Sequence, residues 1–307
     1  MEKKNTLKLE NEMYTNIRGF AEAVSRNISQ WMGEGYEVKL QEVRKNNGVL
    51  LQGLIILSKE KNISPTIYLN SFWEMYVSGT SLTRILTMVR EIYEKSVPAN
   101  GVDMSFFREY EKVRTKICYR LVNTRRNRLL LEQVPHVELL DLSLCFYYAY
   151  ESQNLGEGSI LIHNNHMEMW NCNTEMLMKA AVENTCRLYP EKLLRMCDIM
   201  KECMGESVDV PMHVLTNRIK CYGATAIVYP DVLQKAAEQI GHDLYILPSS
   251  IHEVILLPAD GEQDEERLKE MIREVNSTCV EPEEILSDSL YFYDHQNKRL
   301  DNLSYSG

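Results

Sequence analysis

Asn47-Gly48 stands between two strand-like runs in "YEVKLQEVRKNNGVLLQGLIIL". Asn and Gly both tolerate positive φ, so a type I′ turn closes there and the flanking runs pair antiparallel. Residues 242–258, "HDLYILPSSIHEVILLP", repeat the arrangement with two apolar runs around a Pro-Ser-Ser turn. Hairpins of this kind commit a chain to antiparallel sheets. Amphipathic helices supply the other layer. Met13, Ile17, Phe20, Val24, Ile28 and Trp31 recur at helical steps before "GEG" at 33–35 ends the stripe, and Leu82, Ile85, Leu86, Val89, Ile92 and Tyr93 form a second one. The expected class is α+β: antiparallel hairpins covered by amphipathic helices, in two domains.

The remaining elements follow from local pattern. "SPTIYLNSFWEMYVSG" predicts a strand running into a helix, and "VPANG" at 97–101 a break before a short helix around Phe107. "TKICYRLVN" predicts a strand, and "TRRNRLLLEQ" a helix capped by Thr124. "VELLDLSLCFYYAY" should pair with "GEGSILIHN" across a turn at 154–158. Two helices are expected near 174–188 and 191–204, separated by Pro190. From Val208 the pattern is strand ("VPMHVLTN"), strand ("YGATAIVYP"), helix, hairpin, acidic helix and strand ("SLYFYD"). That sets an expected boundary in "GESVDVP", residues 205–211, between an N-terminal α+β domain, 1–205, and a smaller C-terminal one, 206–307.

Composition narrows the function classes. No apolar run reaches the roughly 18–20 residues that span a bilayer, and the charged N-terminus has no apolar segment behind it as a signal peptide would. A cytoplasmic chain is expected, with its eight cysteines reduced and mostly in the core, since no C-x-x-C occurs. The net charge of −10 disfavours nucleic acid and anionic membrane. Seven basic residues and no acid lie from Lys112 to Arg128, against eleven acids and three bases from Asp260 to Asp288.

Four groups of residues merit weighing as sites. Ser249 or Ser250 with His252 and Glu253 resembles a nucleophile beside a base, but the hairpin turn accounts for every one of them except His252. His163, His166 and Cys172 are metal-ligand types whose spacing matches no zinc pattern. Arg125, Arg126 and Arg128 would hold phosphates at a helix N-terminus, unless they pair with the surplus acids at 260–288. Leu193, Met196, Cys197, Met200, Cys203 and Met204 make a stripe that reads first as core. P-loop, dinucleotide-binding, H-E-x-x-H, EF-hand and G-x-S-x-G patterns are absent from the sequence.

Segments 62–79, 121–144, 180–190 and 222–258, "NISPTIYLNSFWEMYVSG", "LVNTRRNRLLLEQVPHVELLDLSL", "AAVENTCRLYP" and "YGATAIVYPDVLQKAAEQIGHDLYILPSSIHEVILLP", resemble the bacterial domain of unknown function 5688. The resemblance implies a complete intracellular bacterial protein and no reaction. It directs the search for a surface to Asn123, Arg126, Asn127, Asn184, Thr185 and Ser249 to Glu253. The leading expectation is a non-catalytic binding or regulatory protein acting through a protein partner, with no cofactor. The alternatives are a Ser/His hydrolase near 249–253 and nucleic-acid binding through 112–128.

Overall fold

The computed structural model describes residues 14–58, 64–96, 105–152, 156–204, 210–261 and 263–304. The start of the first stripe at Met13, the break at 97–101, most of the 205–211 boundary and part of the turn at 154–158 lie outside them. The chain forms two compact units. One comprises Met1–Lys45, Val49–Met104 and Glu151–Gly156, the other Asn46–Gly48, Ser105–Tyr150 and Glu157–Gly307.

In the first unit helix α1, Ile17–Met32, precedes strands β1, Tyr36–Arg44, β2, Leu50–Ser58, and β3, Thr66–Tyr68. The strands pair antiparallel in that order. Helices α2, Asn70–Val77, and α3, Leu82–Ser96, follow. Phe20, Val24 and Ile28 of α1, Leu54 and Ile56 of β2, and Ile85 and Val89 of α3 form one buried cluster, so both predicted stripes face a common core. The Asn16 side chain accepts from the Gly19 amide to cap α1, and Gly33 ends it at a φ of 73°. The hairpin forms, with Asn47 and Gly48 at φ of 59° and 73°. Its loop is one residue longer than a type I′ turn: Arg44 pairs with Leu50, and the Lys45 amide donates to the Val49 carbonyl at 2.7 Å.

The second unit begins with α4, Tyr110–Val113, β4, Ile117–Asn123, and α5, Arg128–Leu131. Then come β5, His136–Leu139, β6, Leu142–Ser152, β7, Gly156–Leu161, α6, Asn164–Trp170, and α7, Thr174–Leu188. Strands β4, β6 and β5 lie side by side in that order, and β7 also pairs with β6. Strand β8, Glu191–Arg195, leads to α8, Met196–Met204, β9, His213–Asn217, and α9, Val232–Ile240. Last come β10, Leu244–Leu247, β11, Val254–Pro258, α10, Glu265–Thr278, β12, Tyr291–Asp294, and β13, Arg299–Asn302. These last strands form a six-stranded sheet in the order β13-β12-β10-β11-β9-β8, antiparallel throughout. Leu268 and Ile272 of α10 pack on Tyr245, Leu247 and Leu257 of that sheet. The fold class is α+β.

Three local expectations need correction. Residues 191–195 are a strand: Leu193 pairs with Leu215 of β9, so the sheet claims the start of the expected helix. "YGATAIVYP" contains a 3-10 helix at Gly223–Val228 rather than a strand. Its Gly223 lies so close to neighbouring backbone that a Cβ would meet the His252 carbonyl at 2.5 Å and the Asn217 nitrogen at 2.7 Å. "TRRNRLLLEQ" turns through 124–127 and gives only the one-turn α5, with Asn127 at its N-terminus. Thr124 instead shares a hydrogen bond with the Ser143 hydroxyl.

Candidate functional site

Strand β9 ends at Asn217, which is 2 % exposed, and the Asn217 side chain organises the loop that follows. Its Oδ1 accepts from the amides of Ile219 and Cys221, and its Nδ2 donates to the Cys221 carbonyl. Lys220 and Tyr222, on either side of Cys221, take φ of 53° and 52°. Left-handed backbone at non-glycine residues costs free energy and persists only where the surroundings enforce it. Cys221 is therefore held between two strained neighbours and stays partly exposed.

The β10–β11 loop brings His252 to the same place. Its amide donates to the Ser250 hydroxyl at 3.0 Å and its carbonyl accepts from the Thr216 hydroxyl at 2.8 Å, which fixes the main chain. Imidazole Nδ1 faces the Cys221–Tyr222 peptide and accepts from the Tyr222 amide at 3.3 Å. Nε2 points to Glu284 Oε1 at 3.3 Å. Segment 284–287 lies antiparallel to 248–251: the Ile251 amide donates to the Glu284 carbonyl, Leu286 to Ser249, and Ser287 to Pro248. The Asn46 and Asn47 side chains donate to the Glu283, Pro282 and Ile285 carbonyls, so the backbone carrying Glu284 is bound on two sides.

The neighbouring Cys221 side chain raises the imidazole pKa above its ordinary value, burial opposes this, and Glu284 adds to the rise. The imidazole thus stands in one row between the Cys221–Tyr222 peptide and the Glu284 carboxylate, with the Cys221 thiol close enough to affect its titration. The row's arrangement is that of a nucleophile, a base and an orienting acid. Burial pushes the Cys118 and Cys145 thiols up to about 12, which keeps these two protonated.

The sequence candidates fall in several places. Ser250 is buried and its hydroxyl oxygen accepts from the backbone amide of His252. The Ser249 carbonyl holds Leu286. The carboxylate facing the imidazole belongs to Glu284, and Glu253 lies partly exposed beside it in sequence. His163 and His166 cap α6, the His163 amide donating to His166 Nδ1, and the His166 ring packs on Phe107 and Trp170. Burial and then His163 lower the His166 pKa, and burial raises that of the Cys172 thiol. Among the described residues no group of three His, Cys, Asp or Glu side chains is placed to share a metal ion.

In the basic segment Arg126 pairs with Asp288 at 2.7 Å, Lys112 with Glu109 and Arg114 with Glu111. Arg128 lies 3.8 Å from Glu132, and Arg125 is exposed. Asn123, Asn127, Asn184 and Thr185, which the resemblance marked for a surface, are buried and bonded to backbone instead. Asn123 holds the Arg126 amide and the Leu286 carbonyl, and Asn184 donates to the Arg114 and Ile117 carbonyls. Thr185 accepts from the Tyr119 amide. Of the methionine stripe, Leu193 sits in β8 and Cys197 is buried. In the first unit a groove of about 410 Å³ is lined by Arg18, Glu22, Leu40, Gln41, Glu42 and Gln52, and it holds no thiol or imidazole.

Sequence reasoning did not find Cys221 or Glu284. The available signal was "KCYGAT", a thiol directly before a glycine that must pack closely, but its meaning depends on His252, far along the chain.

Fold and cluster together define an α+β protein in which the His252 imidazole lies between the Cys221–Tyr222 peptide and the Glu284 carboxylate. The model of the Family of unknown function (DUF5688) matches residues 17–295, and the chain belongs to that family. No curated protein and no solved structure matches the chain. No helix among the described residues is long and apolar enough to cross a membrane.

Proposed function

We propose that the chain is a thiol-dependent acyl-transfer enzyme of the hydrolase class, with Cys221 as nucleophile, His252 as base and Glu284 as the group that orients His252. The observation that carries this reading is the imidazole held between the Cys221–Tyr222 peptide on Nδ1 and the Glu284 carboxylate on Nε2. With Nε2–H directed at Glu284, Nδ1 is the nitrogen free to take a proton once it gives up the long bond from the Tyr222 amide. In the reaction the Cys221 proton passes to Nδ1 while the sulfur electron pair forms a bond to the acyl carbon. The bond to the leaving group breaks with its electron pair, and that group takes the proton from the imidazolium. Water, losing a proton to the imidazole, then cleaves the sulfur–carbon bond, releasing the acid and restoring the thiol.

The serine hydrolase expected near 249–253 keeps its base in this reading and changes its nucleophile. A non-catalytic partner-binding protein, the leading expectation from sequence, drew its support from the incompleteness of every catalytic pattern, and that support weakens with the row at His252. Nucleic-acid binding through 112–128 has less support, because several of those charges are answered by the protein's own acids.

The test is acylation by p-nitrophenyl acetate followed by peptide mass spectrometry. Cys279 is exposed and serves as an internal control. General-base assistance amounts to about 10²–10⁴-fold, so Cys221 should be acetylated at least about a hundredfold faster than Cys279. Equal rates at the two thiols refute the assignment.

A further inference from the structure

The row at His252 has an arginine beside it that the reaction scheme does not use. Arg120 lies on β4, and its guanidinium stacks 4.5 Å from the centre of the Tyr222 ring and 5.6 Å from that of Tyr147. Tyr147 is only 6 % exposed, and Arg120 is partly exposed between the two rings. Its Nε is enclosed and has no hydrogen-bond partner, and none of the ion pairs among the described residues includes Arg120.

An arginine stays charged in any protein environment, and Arg120, partly exposed with its Nε enclosed, carries that charge with no acid of the described residues to meet it. Arg126, by contrast, meets Asp288 and Arg187 meets the Asn184 amide oxygen and a backbone carbonyl. Stacking on a ring face leaves the in-plane N–H donors of a guanidinium available, and those donors match a carboxylate in two-point geometry. The Tyr222 ring that carries Arg120 also lies against the His252 imidazole, 5.9 Å between centres, and Tyr222 follows Cys221 directly. One residue therefore links the unanswered cation to the thiol and its base.

We infer that Arg120 is the specificity residue of this site and receives a carboxylate on the substrate, so that the enzyme acts on acyl compounds bearing a negative charge. This rests on the thiol reading above. The rest of the molecule works against such a substrate: at a net charge of −10 an anion is repelled at long range. A preference for anions at Cys221 is thus a local property, and local removal abolishes it.

The experiment uses two aromatic disulfide reagents. Dithiobis(nitrobenzoate) carries a carboxylate on each ring, and dithiodipyridine is uncharged. The rate of each at Cys221 is followed in the full chain by peptide mass spectrometry, in wild type and in Arg120→Gln and Arg120→Lys. A charge-assisted contact corresponds to a rate factor on the order of ten or more. Wild type should therefore favour the dicarboxylate over the neutral reagent by about tenfold relative to Arg120→Gln, with Arg120→Lys between them. Benzoate added to wild type should slow the dicarboxylate reagent at Cys221 and leave dithiodipyridine unaffected, a readout that does not depend on either variant folding. If Cys221 reacts readily but with the same ratio of rates in all three proteins, and benzoate has no effect, the inference is overturned while the thiol reading stands. If Cys221 reacts with neither reagent faster than Cys279 does, both fail.

Discussion

Two polar clusters in the second unit, the Asp141 hub and the His252 row, are built from similar groups and end differently. The Asp141 carboxylate accepts from the hydroxyls of Ser287, Ser289 and Tyr291 and from the Asn302 amide. Its backbone carbonyl accepts from the Thr124 amide as well. Every donor aimed at it finds an acceptor, and Ser287 and Tyr291 are fully buried. At the His252 row the bonds to the imidazole are both 3.3 Å long, the thiol is partly exposed, and the neighbouring Arg120 Nε has no partner. A saturated cluster stabilises a fold. One with spare bonding capacity, held by strained backbone, can do chemistry.

Predictions follow from that contrast, beginning where the effect on stability is greatest. Asp141→Ala leaves four donors without their acceptor, each costing about 1–3 kcal/mol when buried. A total loss of about 4 kcal/mol is expected in urea unfolding. The rate of Cys221 acylation per folded molecule should stay within about twofold of wild type, since the main-chain bonds that join segment 284–287 to the His252 loop do not involve the Asp141 carboxylate. A large loss of reactivity with little loss of stability would reverse the assignment of roles.

Gly223→Ala acts on both properties. The new Cβ would run into the Thr216 hydroxyl and lie 2.5 Å from the His252 carbonyl. Overpacking of this kind costs about 1–3 kcal/mol, and it should push His252 away from Cys221, so thermal stability and acylation fall together. Retention of full reactivity would show that the row does not depend on this close approach.

Glu284→Gln sharpens the comparison through pH. The folded imidazole has its pKa raised above 6.5, first by Cys221 and also by Glu284, and the groups facing it are Cys221, Tyr222 and Glu284. A raised histidine pKa stabilises the fold fully below the unfolded pKa, and that contribution fades as pH rises through the folded pKa. Glu284 is 42 % exposed, so solvent limits the pair to under about 1 kcal/mol. The variant should lose that small increment below pH 6.5 and match wild type once pH has risen past the folded pKa, while NMR titration shows the His252 pKa moving down. An unmoved pKa would separate Glu284 from the row. Arg126→Ala should have the smallest effect, under about 1 kcal/mol, because its pair with Asp288 is at the surface.

Much of the fold was legible because the signals are local. The 242–258 hairpin reads from its own turn residues, and helices α1 and α3 from their own stripes. Elements went unread where a distant partner decides them. Residues 191–195 read as helix from their spacing but become a strand because β9 offers an edge. The 3-10 helix at 223–228 replaces a strand because Gly223 must fit against the β9 end and the His252 loop. The site shows the same limit more sharply. His252 was singled out as the one residue that turn chemistry left unexplained, yet Glu284 lies 32 residues away and the Tyr222 contact 30. Neither separation leaves a trace in periodicity or composition. Ser250, the obvious hydroxyl next to it in sequence, is used for the loop itself.

The most direct test compares Cys221 acetylation by p-nitrophenyl acetate in wild type and His252→Ala at one pH, with Cys279 followed in the same samples. If His252 serves as the base for this thiol, the rate at Cys221 falls by about a hundredfold or more in the variant while the rate at Cys279 does not change. Equal rates at Cys221 in the two proteins would contradict it.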